Sequence, residues 1–199
     1  MRNRCVRSPS SRLRFAHGRV DITPPVGIYH RMWGAARHDR ATGIHRPLYG
    51  DVLVFEPLDL AGSDQRMIRV QLDHVGFGEE RHQALKTVVG QAGGVPIERV
   101  VLTYSHTHSA GWYTPDRFEL PGGELMPAYL EQLGDKLQKT CRETVGCLQE
   151  VVITYEYGWC GMAAERDCWD EEINGYVTGY NPDAATDNQV TVGRVTDAN

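Results

Sequence analysis

Apolar and polar positions along the chain change period several times, and each change marks an element. Gly50-Asp51-Val52-Leu53-Val54-Phe55-Glu56 and Met67-Ile68-Arg69-Val70-Gln71-Leu72 are short apolar or alternating runs separated by Ala61-Gly62-Ser63-Asp64. Two such runs around a turn predict a β-hairpin. From Glu79 to Gln91 the period lengthens: acids stand at the start and Ala84, Leu85, Val88 and Val89 fall on one helical face. Ala92-Gly93-Gly94 ends that helix, and Arg99–Tyr104 is the next strand. Strand, helix and strand in this order predict a βαβ unit with parallel strands.

Leu125, Tyr129, Leu130, Leu133, Leu137, Cys141, Val145 and Leu148 recur at intervals of three and four. They predict one long amphipathic helix covering the sheet. Val151–Tyr157 and Gln189–Val195 read as two further strands, and the polar, glycine-punctuated stretch 158–187 between them reads as loop-rich. The fold class is therefore α/β, with a mixed sheet, at least one βαβ unit and a long covering helix.

Composition narrows the functional classes. A chain of 199 residues with 41% hydrophobic and 24% charged residues has the size and balance of one globular domain. With 26 acids against 21 lysines and arginines, the net charge of -5 argues against nucleic acid and anionic membranes as partners. No apolar run approaches the roughly 18 residues of a membrane span. Residues 1–15 are basic, with five arginines and no apolar core of a secretory signal behind them, and are read as a disordered segment before a domain of residues 16–199. Five cysteines without CxxC spacing indicate neither a zinc ribbon nor a disulfide framework, which favours a reducing, cytoplasmic setting. Nothing in the sequence specifies an oligomeric state.

The candidate chemistry sits at His106-Thr107-His108-Ser109, where the apolar run 99–104 gives way to a loop. Residues two apart on extended chain point to one side, so His106 and His108 face one site if the extended geometry persists through Thr107. His-x-His is a recurrent way to present imidazole nitrogens to zinc, although the same spacing also arises by chance. In a parallel sheet, ligands collect beyond the carboxyl ends of the strands, where Asp73-His74 and His106-Thr107-His108 both emerge. Asp73 is read as a partner that fixes an imidazole, as a ligand, or as a turn residue. Arg166 is a candidate clamp for a substrate carbonyl or carboxylate, with a local ion pair to Glu165 or Asp167 as the commoner fate. Trp112, Tyr113 and Phe118, in the Gly/Pro-interrupted loop 110–123, either line a pocket or pin the loop to the core. His30, His38 and His45 read individually as structural or solvent-exposed.

Four landmarks in order carry a resemblance. Gly18-Arg19-Val20-Asp21-Ile22-Thr23-Pro24, then Ala41-Thr42-Gly43-Ile44 before Leu48-Tyr49, then Gln71-Leu72-Asp73, then Ser105-His106-Thr107-His108-Ser109 resemble the amino-terminal part of the neutral/alkaline non-lysosomal ceramidases. Ser105 and Ala110-Gly111 depart from the family's version of the last landmark. The resemblance implies a mixed α/β fold and a zinc-dependent amidohydrolase acting on a small-molecule or lipid amide. It makes His106 a zinc ligand and gives His108 the task of polarising the amide carbonyl or stabilising the oxyanion. It also implies further zinc ligands: a histidine on a following strand, and an acid and a tyrosine much farther on. No histidine follows His108. The expectation is thus an incomplete metal site, filled out by Asp73 or His74 or from another chain, in a truncated and weakly active protein. The alternatives are a non-catalytic metal- or ligand-binding α/β domain and an interaction module in which both histidines are structural.

Overall fold

The computed structural model describes residues 9–34, 36–59 and 65–198. A mixed sheet holds Ser10–Asp21, Tyr49–Glu56, Met67–Leu72 and Val100–Tyr104 side by side in that order, and two short strands form a separate hairpin. The chain divides into two compact units, one of residues 13–151 and one of the described residues within 1–12 and 152–199.

In the larger unit, β1 (Ser10–Asp21) pairs antiparallel with β2 (Tyr49–Glu56), and β2 pairs antiparallel with β3 (Met67–Leu72). The hairpin expected from the alternating runs is therefore present, while its turn at 61–64 lies outside the described residues. Strand β1 itself was not legible as a strand, and it reaches back to Ser10, inside the segment expected to be disordered. Its outward-facing side is polar: His17 and Arg19 both engage the Asp51 carboxylate, at 2.6 and 2.7 Å. Polar cross-strand pairing of this kind holds a strand without producing an apolar signature.

α1 (Glu79–Gly93) follows β3, and β4 (Val100–Tyr104) then pairs parallel with β3 from Ile68↔Val100 to Leu72↔Tyr104. This is the predicted βαβ unit. Gly94 ends α1 in the left-handed region at φ 66°, its N–H returned to the carbonyls of Gln91 and Gly90. α2 (Met126–Val145) is the long amphipathic helix, entered with a proline in its first turn.

The main core joins Val52, Val54, Ile68, Val70 and Leu72 of the sheet to Leu85 and Val89 of α1 and Leu133, Leu137 and Cys141 of α2. Period two on the strands and period three to four on the helices meet across one layer. Gly18 permits the close approach of α2 to β1, because a Cβ there would collide with Thr144 Oγ1. A second cluster of Ile28, Tyr113, Met126, Tyr129 and Leu130 packs beside the first, with Phe118 against it.

The smaller unit contains most of β5 (Gln149–Trp159), the hairpin β6 (Asp167–Asp170) and β7 (Gly175–Thr178), and β8 (Gln189–Asp197). The region expected to be loop-rich thus holds a short hairpin. No helix of the described residues is long and apolar enough to cross a membrane.

Candidate functional site

The parallel pairing of β3 and β4 brings Leu72 and Tyr104 into register, so the chain leaves both strands at one rim. Backbone bonds tie the two exits together: Ser105 N–H donates to Leu72 O at 2.9 Å. Asp73 is bound at the same edge to the start of β2, its N–H donating to Tyr49 O at 2.8 Å and its carboxylate accepting from Tyr49 N–H at 3.1 Å. The carboxylate acts as an extra rung of the ladder.

Extended geometry does not persist into the His-x-His motif. His106 takes φ 56°, the left-handed region that a non-glycine residue enters at a cost. The two rings nevertheless stay adjacent, with centroids 5.3 Å apart and planes at 72°. His106 Nδ1 lies 2.8 Å from Val75 O. A carbonyl oxygen only accepts, so the proton sits on Nδ1 and the lone pair on Nε2. That is the tautomer in which Nε2 can bind a metal or take a proton. His108 is held differently, its ring stacked on the Trp33 indole at a centroid distance of 4.0 Å and an interplanar angle of 26°.

Beside this motif lies a cavity of about 570 Å3, lined by Asp73, Thr107, His108, Ser109 and Tyr113 and by residues of the segment 23–48. The Tyr29↔Arg40 bridge folds that segment back on itself, and His30 N–H donates to Asp39 O at 2.9 Å. Its fold brings the His30 and His38 rings to 5.1 Å. The loop after the motif approaches closely at Gly111, where a Cβ would stand 2.8 Å from His30 Cα. Tyr113 then both lines the cavity and packs in the second core cluster, so it serves as wall and as pin. Phe118 packs against that cluster and acts as a pin.

His38 and His45 are exposed and His30 is half-buried, in keeping with their individual reading, and all three line the same cavity as His108. The available signal was their density, three of the chain's eight histidines within sixteen residues. Burial, and then the neighbouring His38, push the His30 pKa down, which favours the neutral ring.

His74 does not serve as a substitute ligand. It is fully buried, stacked on Phe77 at 4.0 Å and edge-on to Tyr113, and burial lowers its pKa to about 4. Arg166 belongs to the smaller unit. Its Nε donates to Gly179 O at 3.1 Å, and the Glu165 carboxylate accepts from the backbone N–H groups of Arg166 and Asp167. The side chain thus closes a local loop through a carbonyl, instead of forming the expected ion pair.

Zinc sites normally draw at least three ligands from the protein. Among the described residues, no three His, Cys, Asp or Glu side chains converge as a metal would require. His106 and His108 are two adjacent imidazoles, and the described residues do not by themselves make a closed zinc site.

No family model matches the chain, and no curated protein matches it either. Among solved structures, a structure described as ceramidase complexed with C2 matches with a TM-score of 0.69 at 20% identity, over 96% of this chain and 29% of that one. Neutral ceramidase from Pseudomonas aeruginosa matches with a TM-score of 0.67 at 20% identity, over 97% of this chain and 30% of that one. The chain therefore spans about three tenths of the length of the structures it matches. What it shares with the neutral ceramidases is their fold over that part.

Proposed function

We propose that this chain carries one side of the active site of a hydrolase that cleaves N-acyl amides, of the neutral ceramidase type. The supporting observation is the pair of imidazoles at the joint exit of two parallel strands, with His106 locked in the tautomer that leaves Nε2 available, beside a cavity of small-molecule size. The ceramidase-like fold adds to it. His106 is the ligand this chain would contribute to zinc, with the other ligands coming from outside the described residues. When bound, zinc would supply Lewis-acid activation of water.

An amide is a poor electrophile, and its carbonyl oxygen gains charge on attack. His108 lines the cavity and, when protonated, donates to that oxygen; afterwards it can pass the proton to the departing nitrogen. Trp33 holds the ring face so that the donor direction is set before substrate arrives. Asp73 keeps the two strand exits and the start of β2 in register, and so positions the motif without needing to touch the reacting atoms.

A non-catalytic ligand-binding domain is the competing reading, favoured by the lack of a third converging ligand among the described residues. Cobalt(II) titration followed by NMR tests the first. It should broaden the His106 ring signals at low equivalents, and His106→Ala should abolish the effect; broadening that survives the substitution rules out the proposed ligand. Chelator-sensitive hydrolysis of a fluorogenic N-acyl amide then separates enzyme from binding domain. We expect little turnover by this chain alone.

A further inference from the structure

We infer that the cavity beside His108 takes a compact amide substrate that carries its own carboxylate, with Arg46 selecting for that charge. The inference rests on the functional reading above and narrows it to a substrate class.

Arg46 is the one permanently cationic residue of the cavity lining, His30, His38, His45 and His108 line it as well, and Asp73 is the only carboxylate among the lining residues. Asp73 accepts one hydrogen bond, from Tyr49 N–H at 3.1 Å. Arg46 takes part in none of the ion pairs among the described residues. A guanidinium bordering a cavity presents a planar fork that matches a carboxylate with two parallel hydrogen bonds.

A further observation points to a polar occupant. The Tyr113 hydroxyl is buried and donates to no acceptor among the described residues, and Tyr113 lines this cavity. Buried polar groups are nearly always satisfied, so this O–H calls for a ligand that brings an acceptor. A substrate that is apolar over most of its surface would leave it unpaired. The amide carbonyl and the carboxylate of a small N-acyl amino acid supply acceptors of the required kind. The volume of about 570 Å3 lies in the ordinary range for one small molecule.

The test uses the chain as it stands and two probes that differ in charge at one end: N-acetylglycine and its neutral counterpart N-acetylglycinamide. Binding is followed by NMR, in the backbone amides of 42–48 and 107–113, at constant pH and ionic strength. We expect N-acetylglycine to bind about tenfold more tightly, a difference typical of one charge-assisted hydrogen-bonded pair. Arg46→Gln should bring the two probes within about twofold by weakening N-acetylglycine alone, and Arg46→Lys should restore part of the preference. Equal affinities in the native chain, a preference for the neutral probe, or no binding of either probe at millimolar concentration would overturn the inference. So would a preference unchanged by Arg46→Gln. None of these outcomes touches the cobalt test at His106, so the substrate class can fail while the proposed site stands, and the reverse.

Discussion

The two units of this chain are built on opposite balances of burial. In residues 13–151 nearly every apolar residue of the strands' inner face and of the facing helix stripes is out of water: Val52, Val54, Ile68, Val70, Leu72 and Leu137 are all 0% exposed. In residues 152–199, Ile153 is the one apolar side chain buried among the described residues, whereas Tyr157, Trp159, Tyr176 and Tyr180 are each about 70% exposed or more. The same segment holds nine acids against two arginines and no lysine. Burial of apolar surface is the main favourable term in folding, worth roughly 25 cal/mol per Å2. The larger unit can therefore hold a rim of functional side chains in place, and this is where the candidate site lies. The contrast predicts that substitutions in the two units should differ by an order of magnitude in their effect on stability.

The largest effect is expected at a charge, not in the apolar core. Glu56 is 3% exposed at the end of β2, its Oε2 accepting from Arg66 Nε and Nη2 at 3.0 and 2.8 Å and its Oε1 from Arg14 Nη1 at 3.2 Å. Arg66 also donates to Gly93 O at 2.7 Å, which ties the hairpin to the end of α1. Removing one partner of a buried ion pair leaves the other uncompensated, so Glu56→Ala should cost about 3–5 kcal/mol in urea unfolding. A loss below about 1 kcal/mol would mean that this end of the sheet is wet. Leu137→Ala, at the centre of the covering helix, should cost about 2–5 kcal/mol by the same measurement. Tyr157→Ala in the smaller unit should stay within about 0.5 kcal/mol. Comparable losses at Leu137 and Tyr157 would break the comparison.

Acid should act on the larger unit through His74. Its pKa is lowered to about 4 by burial, against an ordinary value of 6.5. Between those values the unfolded chain binds a proton that the folded chain does not. Stability from this group is complete above about pH 6.5 and falls as the pH drops toward about 4, by on the order of 3 kcal/mol in total. His74→Gln should flatten the unfolding free energy over that window, and an unchanged slope would show that other groups carry it.

What was legible in the sequence follows the same contrast. The hairpin, the βαβ unit and the long helix were all readable, because each has one buried face and a buried face imposes a period. β1 was missed because its exposed side is held by His17, Arg19 and Asp51, and polar pairing leaves no period. Of the candidate site, the His106–His108 pair and the shared rim with Asp73 were legible from topology, since strand ends locate ligands without any knowledge of loops. The left-handed His106, the Trp33 stack and the histidines of the 23–48 segment were not. They depend on a loop fold set by the Tyr29↔Arg40 bridge and by the absence of a side chain at Gly111. Such contacts have no spacing rule.

A small, local effect is expected at the hairpin β6–β7, which lies in a stretch read from the sequence as loop-rich and which burial does not support. Asn174-Gly175 is a strong turn dipeptide, with Asn174 at φ 50°, and the Asp170 carboxylate accepts from Glu172 and Ile173 N–H at 2.8 and 3.4 Å. Across the strands Trp169 faces Tyr176, ring centroids 5.2 Å apart in an edge-on arrangement. Both rings are more than half exposed, so this pair and the turn are the local forces that keep the hairpin together. A cross-strand aromatic pair contributes roughly 0.2–1 kcal/mol. Trp169→Ala should therefore raise amide exchange in 167–178 by at most about fivefold, and should leave the unfolding midpoint of the larger unit unmoved. If exchange in β2 and β3 rose with it, the two units would be one cooperative structure, and the contrast in burial would not be a contrast in stability.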